Sequence, residues 1–182
     1  MSYYIIGIPK ELKENEKRIV FKPIEIQKLI KIGFSIIIQK DAGALSNYSD
    51  SDYINVGAKI LDTIEDIYKN ANIIFKVKEP QEYEYSLIRE NHTIIAFFHF
   101  AGNEKLKNYM IKSNACCVAY ESVKFNNEYP ILKEMSILAG KNALNISYNF
   151  YNKVTFNKKL VIIGLGNVGT SPLNEAVSLN YN

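Results

Sequence analysis

The chain has 182 residues, of which 47% are hydrophobic, so it can bury a substantial core without disulfide bridges and form one domain and part of a second. Its net charge is only +3, and its 22 basic residues are spread along the chain, which argues against a nucleic-acid partner. No apolar run approaches the roughly 18 residues that cross a bilayer, and the first residues lack the pattern of a secretory signal. We therefore expect a cytoplasmic protein that does not insert into membranes.

Short apolar runs predict the strands of the first 120 residues, because each run is bounded by turn residues. We expect strands at residues 3–8, 34–39, 72–77, 93–98 and 115–120. Amphipathic stretches between them predict helices at residues 23–33, 51–57, 63–71 and 103–113, with Pro23 in the first turn of one helix and Thr63 capping another.

Strands that alternate with helices in this way predict an α/β fold, with a parallel sheet covered by helices. Runs such as "IIAFF" do not alternate polar and apolar residues, which suits strands buried on both faces. We expect a Rossmann-like (flavodoxin-like) domain over residues 1–130, carrying substrate binding and catalysis. A loop at 124–130 and a long helix at 133–152 then place a boundary near residue 130.

The sequence contains two cysteines, Cys116 and Cys117, which are adjacent. Adjacent cysteines seldom bridge each other, and without histidines at ligand spacing they form no metal site. We interpret them as reduced thiols on a core strand of an intracellular protein.

The stretch "LVIIGLGNVG" (160–169) predicts a strand that enters a G-x-G-x-x-G turn and then a helix. Gly164 would allow the tight turn, Gly166 would let the backbone approach a pyrophosphate, and Gly169 would let helix and strand pack closely. The alternative is a glycine turn that binds nothing. Thirteen residues follow Gly169, and they contain neither the acidic residue that would hold the ribose nor further strands. Residues 131–182 therefore read as a linking helix and the truncated beginning of a dinucleotide-binding domain.

Polar side chains recur where the predicted strands end, and ligands of open parallel sheets bind outside the carboxyl ends of the strands. Arg18 follows the first strand, Lys78 the strand at 72–77, His99 the strand at 93–98, and Tyr120 and Glu121 the last strand. Arg18 can grip a carboxylate, Lys78 can polarise a carbonyl, and His99 can move a proton near neutral pH. These residue types suit an amino-acid or oxo-acid substrate.

Each of these residues also has a structural interpretation. Arg18 could be solvated in a charged loop, and Lys78 could form an exposed ion pair with Glu79. His99 could be a core histidine that bonds to nearby backbone, and His92 is expected in a loop.

The stretches "GIPKELKENEKR", "ANIIFKVKEP", "FHFAGNEKL", "AYESV", "EMSILAG" and "VIIGLGNVG" together resemble the alanine dehydrogenase and nicotinamide nucleotide transhydrogenase family, particularly its N-terminal domain. The resemblance implies that Arg18 and Lys78 bind substrate, that His99 is the catalytic acid/base with Lys78 polarising the carbonyl, and that Ser136 lies near the cofactor. The implied reaction is the NAD-dependent oxidative deamination of L-alanine to pyruvate and ammonium. The histidine of the H-x-A element favours the alanine dehydrogenase branch.

A shortened cofactor domain leaves several readings open. In one interpretation, the protein is an enzyme that becomes active when another chain supplies the rest of the domain. In the other, it is a non-catalytic remnant or a split-gene domain. A fragment of a transhydrogenase α subunit and a saccharopine dehydrogenase relative are further alternatives. We expect the protein to form a homo-oligomer or to bind such a complementing chain.

Overall fold

Six parallel strands form the sheet around which the first part of the molecule is built, in the order β3-β2-β1-β4-β5-β6. The computed structural model describes residues 4–151, 159–173 and 176. The chain divides into two compact units, Met1–Glu121 and Ser122–Asn182. The sequence analysis places the boundary near residue 130, at the loop before the long helix. The strands are β1 (Ile5–Ile8), β2 (Ser35–Gln39), β3 (Lys59–Leu61), β4 (Ile73–Lys78), β5 (Thr93–Phe97) and β6 (Cys116–Ala119).

Helices cover both faces of this sheet, as the apolar strands predict. The helices of the first unit are α1 (Pro23–Lys31), α2 (Asp50–Asn55), α3 (Ile64–Asn70), α4 (Glu82–Tyr85) and α5 (Glu104–Ser113). One core cluster contains Ile26 of α1, Tyr53 of α2 and Ile38 of β2, and the other contains Ile67 of α3, Leu106 of α5 and Ile94 of β5. The two clusters lie on opposite faces, because residues that alternate along each strand belong to different clusters.

Most of the predicted elements of the first unit are confirmed within a residue or two. Thr63 caps α3 as expected, and its hydroxyl oxygen accepts the Asp66 N–H at 3.1 Å. The sequence analysis missed β3 and α4, which have three and four residues and offer too little pattern to detect. The strand order is that of a Rossmann sheet, which confirms the Rossmann-like expectation; the flavodoxin-like order is not adopted.

The two cysteines lie on β6, which is an edge strand. The Cys116 side chain is exposed and that of Cys117 is half-buried, and both are free thiols. Burial, together with the neighbouring Cys116, raises the pKa of Cys117 to about 11. The interpretation as reduced thiols agrees with this placement, but an edge position exposes one thiol that a core strand would cover.

The second unit is built on the long helix α6 (Pro130–Tyr151) and the single turn α7 (Asn167–Thr170). The strand expected at residues 160–163 is wrong for this structure: the described residues 159–165 adopt no strand. A strand needs a neighbouring strand to bond with, and the described part of this unit contains none. The apolar side chains are left in solvent, with Val161 80% and Ile163 96% exposed. Among the described residues, no helix is both long and apolar enough to span a bilayer.

We predict that Gly7→Ala lowers the free energy of unfolding by about 1–3 kcal/mol, because overpacking at a close contact forces the neighbours apart. A Cβ at Gly7 on β1 would lie 2.7 Å from Ala71 Cβ and 2.8 Å from Ile67 Cγ2. Urea denaturation measures the change. Gly102→Ala is the matched control, because a Cβ there has no neighbouring atom within 4 Å. Equal midpoints for the two variants would contradict the proposed contact between β1 and α3.

Candidate functional site

The strand order reverses between β1 and β4, because β2 and β3 lie on one side of this pair and β5 and β6 on the other. In open α/β sheets, ligands bind in the crevice outside the carboxyl ends of the strands at such a reversal. The residues that follow β1, β4, β5 and β6 form this border, which we term the carboxyl edge. Every charged or aromatic residue predicted at the strand ends belongs to these four adjacent strands or their loops.

Arg18 lies in the loop after β1 and forms a two-point ion pair with Glu16. Its Nε donates to Glu16 Oε1 at 2.8 Å, and its Nη2 lies 2.6 Å from Glu16 Oε2. Burial raises the pKa of Glu16, but the hydrogen bonds and charge of Arg18, helped by the charge of Lys78, outweigh it and leave the pKa lowered. The guanidinium is therefore oriented by Glu16, and a substrate carboxylate would share Arg18 with that side chain.

An extra residue in β4 decides where Lys78 lies. The ladder with β5 pairs Phe75 with Ile95 and then Lys78 with Phe97, so β4 has one more residue than β5 between these pairs. Such a bulge re-aims the side chains that follow it. Without the extra residue, Lys78 would lie on the opposite face from Phe97. With it, Lys78 shares a face with Phe97 at the end of the strand.

Lys76, two residues earlier, is enclosed in the core instead. It is 1% exposed, and its Nζ lies 3.1 Å from Glu84 Oε1 and 3.4 Å from Glu11 Oε2. Neither contact has hydrogen-bond geometry, so the interaction is ionic. The Tyr68 hydroxyl also donates to Glu84 Oε1 at 2.9 Å. A buried ammonium needs such partners, and here they come from the loop after β1 and from α4.

Glu11 connects this buried group with the carboxyl edge. Its carboxylate accepts the Val77 N–H at 2.6 Å and the Lys78 N–H at 3.4 Å. Burial raises its pKa, and the attraction of Lys76 and the Val77 hydrogen bond offset only part of that rise. Glu11 thus bonds the loop after β1 to the end of β4 at the position where the strand order reverses.

His99 follows β5 with a left-handed backbone, at φ 51° and ψ 42°. This conformation is uncommon outside glycine and costs about 1–2 kcal/mol for an L-residue. Its N–H donates to Glu121 Oε1 at 2.7 Å, and the Phe98 N–H donates to Glu121 Oε2 at 3.3 Å. The imidazole is exposed and stacks along Phe97, with ring centroids 6.1 Å apart.

Aromatic side chains link the strand ends into one surface. Tyr120 packs edge-on against Phe97 at 5.1 Å between centroids, and Phe97 is the ladder partner of Lys78. Burial raises the pKa of Tyr120 well above its usual range, and the charge of Glu11 adds to the rise. The rings of His99 and Tyr120 thus contact Phe97, whose ladder partner is Lys78. Arg18 and Lys78 both lower the pKa of Glu16.

The structural interpretations are also decided by these contacts. Glu79 pairs with Lys13 at 2.5 Å, rather than with Lys78 as the alternative interpretation has it. The core histidine is His92, which lies in a loop as predicted but is only 1% exposed. Its Nδ1 accepts the Arg89 N–H at 3.1 Å, and its Nε2 lies 3.0 Å from the Tyr68 carbonyl oxygen and 3.1 Å from Arg89 Nη2. Burial, then the Arg89 charge, lowers the pKa of His92.

In the second unit, Ser136 of α6 and the three glycines line one cavity of about 470 Å³. Gly164 has φ 100°, the left-handed region that glycine tolerates. A Cβ at Gly169 would lie 2.0 Å from the Gly164 carbonyl oxygen, whereas a Cβ at Gly166 has no described neighbour within 4 Å. This arrangement fits the roles expected for a dinucleotide turn: a tight turn, an open approach and close packing.

Gly140 is a residue of this unit that the sequence analysis did not single out for packing. A Cβ there would lie 2.1 Å from Ser171 Oγ and 2.2 Å from the Val168 carbonyl oxygen. The glycine therefore allows α6 to contact the segment around α7. Its spacing in "SILAG" gave no signal, because the contact depends on residues about thirty positions later.

Several residues of the first unit's site also escaped the sequence analysis. Glu11, Glu16, Lys76 and Glu84 were not assigned, although each fixes the position of a candidate residue or its strand. In sequence, Lys76 and Lys78 are two apart and would share a face of a regular strand. The bulge that separates them has no recognisable signature in "IIFKVK".

The fold and the carboxyl edge define a Rossmann-type α/β domain with a candidate site for a small anion. The family model described as "Alanine dehydrogenase/PNT, N-terminal domain" matches residues 7–139, and the chain belongs to this family. The finding confirms the resemblance read from the sequence and places the chain in an oxidoreductase family.

Among curated relatives, the chain is 30% identical to an alanine dehydrogenase of Methanococcus maripaludis and 32% identical to one of Staphylococcus saprophyticus. Each alignment covers 96% of this chain and 51% of the relative, so the chain spans about half the length of the curated relatives it matches.

Two solved structures have the same fold. An L-alanine dehydrogenase superposes with a TM-score of 0.88 at 29% identity, covering 98% of this chain and 53% of the other. A transhydrogenase from Sinorhizobium meliloti superposes with a TM-score of 0.83 at 25% identity, covering 97% of this chain and 57% of the other.

We predict that Lys76→Met destabilises the first unit by about 3–5 kcal/mol, because the buried carboxylates of Glu84 and Glu11 then lose the ammonium group that neutralises them. The double variant Lys76→Met/Glu84→Gln should recover part of this loss, which urea denaturation measures. Lys107→Met is the control, since Lys107 forms an exposed pair with Glu104 at 3.4 Å. If the double variant were as unstable as the sum of its two single variants, the ionic interaction of Lys76 with Glu84 would be refuted.

We also predict that Arg18→Ala removes a pH-dependent stabilisation. Because Arg18 holds the pKa of Glu16 below its ordinary value of 4.5, the wild type gains stability above that value and loses it as the pH falls through the folded-state pKa. The variant should lose less than about 1 kcal/mol near neutral pH, since the Arg18 side chain is 44% exposed, and the difference from wild type should vanish in acid. Urea unfolding at both pH values, with NMR titration of Glu16, measures it. A difference that persists in acid would refute the linkage.

Proposed function

We propose that the carboxyl edge binds the carboxylate of a small 2-oxo acid or L-amino acid, as the substrate half of an NAD-dependent alanine dehydrogenase. The observation that carries the proposal is that Arg18, Lys78 and His99 follow or end three adjacent strands, β1, β4 and β5, beside the reversal of strand order. The likeness to alanine dehydrogenases along nearly the whole chain supports the choice of reaction.

In this proposal, the planar guanidinium fork of Arg18 binds the substrate carboxylate while it remains paired with Glu16. Lys78 lies at the end of β4 on the face of Phe97, where its ammonium can bind the carboxylate or polarise the carbonyl of pyruvate. Lys78 adds a second positive charge to that of Arg18, and together they attract an anion.

His99 is proposed as the acid/base. Its exposed imidazole can take a proton from water as the hydroxyl adds to the imine carbon, and can return it to the departing amine. The overall reaction balances: L-alanine, NAD⁺ and water give pyruvate, ammonium, NADH and one proton. The hydride leaves the α-carbon of alanine with both bonding electrons.

NAD, when bound, accepts that hydride; Ser136, Gly164, Gly166 and Gly169 are the residues proposed to hold it. The chain spans about half the length of the curated relatives it matches. We propose that it forms a homo-oligomer or binds a complementing chain that carries the rest of the NAD-binding domain.

The alternative is a domain that binds small carboxylates without turnover, or one that belongs to the transhydrogenase branch. The transhydrogenase from Sinorhizobium meliloti superposes nearly as well as the L-alanine dehydrogenase does. The histidine in "HFA" (99–101) is the feature that favours the dehydrogenase.

We predict that pyruvate shifts the NMR signals of Lys78 and His99, and that Lys78→Ala and Arg18→Ala each weaken its binding by about tenfold or more, as expected for the loss of a charge-assisted bond. His99→Asn removes the imidazole but keeps a residue that tolerates the left-handed backbone, so it tests the ring itself. Lys107→Ala on α5 is the matched charge control.

Pyruvate binding that is unaffected in the Arg18 and Lys78 variants would refute the carboxylate site. Turnover is tested separately, by mixing the chain with NAD and L-alanine and recording the absorbance of NADH. Binding of pyruvate without any NADH signal or calorimetric NAD binding would favour the non-catalytic alternative.

A further inference from the structure

We infer that Glu11 and Glu121 are positioning residues for the proposed site, each holding one functional side chain through the backbone of the strand that carries it. This inference rests on the proposed function of the carboxyl edge. The carboxylates make the same contact at neighbouring strands: each one accepts the N–H groups of two consecutive residues.

At the end of β5, the two oxygens of Glu121 accept the N–H groups of Phe98 and His99, at 3.3 and 2.7 Å. At the end of β4, the two oxygens of Glu11 accept those of Val77 and Lys78, at 2.6 and 3.4 Å. We term these contacts the Glu121 clamp and the Glu11 clamp. Glu121 reaches β5 from the turn after β6, and Glu11 reaches β4 from the loop after β1, so each clamp also joins adjacent strands.

The backbone at both positions needs such a partner. The last pair of the β5–β6 ladder is Ala96 with Ala119, so the amides of Phe98 and His99 lie beyond that ladder. His99 also adopts the left-handed conformation, which costs an L-residue about 1–2 kcal/mol and is kept where the surroundings fix it. A carboxylate on two consecutive amides fixes the peptide plane before His99, and with it the direction in which the imidazole leaves the chain.

The Glu11 clamp acts where β4 departs from regular alternation. The bulge places Lys78 on the face of Phe97, and the two amides that Glu11 binds belong to the bulged segment. Glu11 is itself held, because its Oε2 lies 3.4 Å from the buried Nζ of Lys76. Through Glu11, the buried Lys76 therefore helps to fix the backbone of Lys78, which carries the candidate ammonium group.

The two clamps act on the candidate residues through the backbone. The carboxylates of Glu11 and Glu121 contact backbone amides, and that of Glu11 also contacts Lys76. Within the described part of the chain, neither carboxylate bonds to the side chain of Lys78 or His99. Their effect on a substrate would pass through the geometry of those two side chains, which separates positioning residues from the groups that touch pyruvate.

The test uses Glu121→Gln in the full chain, because glutamine has the same shape but presents one donor where the carboxylate has two acceptors. We expect the amides of Phe98 and His99 to exchange with solvent about tenfold faster, and the nuclear Overhauser contact between the His99 and Phe97 rings to weaken. Pyruvate should bind about threefold to tenfold more weakly and shift the His99 ring signals less. Glu104→Gln, in an exposed pair with Lys107, is the control and should match wild type in every readout.

Glu11→Gln provides the second variant, with faster exchange expected at Val77 and Lys78 and unchanged His99 signals. Protection of the buried Ile74 and Ile94 amides reports that the sheet remains folded in both variants. Unchanged amide exchange or unchanged ring contacts in the Glu121 variant would overturn the inference.

The two proposals fail separately. If wild type showed no response to pyruvate, the proposed function would fall, while amide exchange and the ring contact would still decide whether Glu121 positions His99. If pyruvate bound wild type and the Glu121 variant equally well, with equal His99 shifts, the function would stand and the positioning role would be refuted.

Discussion

The ammonium group of Lys76 is removed from water in the middle of β4, and it can remain there only with negative charge around it. Glu84 provides that charge from α4 and Glu11 from the loop after β1. This requirement brings the loop after β1 over the end of β4, where the strand order reverses. The same loop carries Glu16 and Arg18, so the position of the candidate carboxylate-binding side chain depends on a lysine that itself never meets solvent.

One extra residue in β4 separates the roles of two lysines that are neighbours in sequence. Lys76 enters the core, and Lys78 shares the face of Phe97 at the carboxyl edge. The Glu11 carboxylate contacts the ammonium group of Lys76 and accepts a hydrogen bond from the backbone N–H of Lys78. The core and the site are thus coupled by hydrogen bonds and charge, and Glu121 repeats the arrangement at His99 one strand further along.

The second unit shows how a local motif depends on distant partners. The glycines of 164–169 adopt the turn expected of them, and the cavity beside Ser136 and Gly140 forms around it. The apolar residues before the turn remain outside any strand, with Ile163 96% exposed, because a strand gains its hydrogen bonds from a neighbour. These apolar residues suit a buried strand, but no strand among the described residues of the second unit pairs with them.

The sequence alone determined the Rossmann-like class, most elements of the first unit, and the edge at which Arg18, Lys78, His99 and Tyr120 would gather, because periodicity and strand-end position are local properties of the chain. The tertiary structure decided which strands are neighbours, which lysine is buried, that His92 rather than His99 is the core histidine, and which glutamates bond to the ends of β4 and β5. These outcomes depend on contacts between residues up to 67 positions apart, such as Glu11 with Lys78, and on the bulge in β4. No local pattern encodes them, since the partner exists only once the chain has folded.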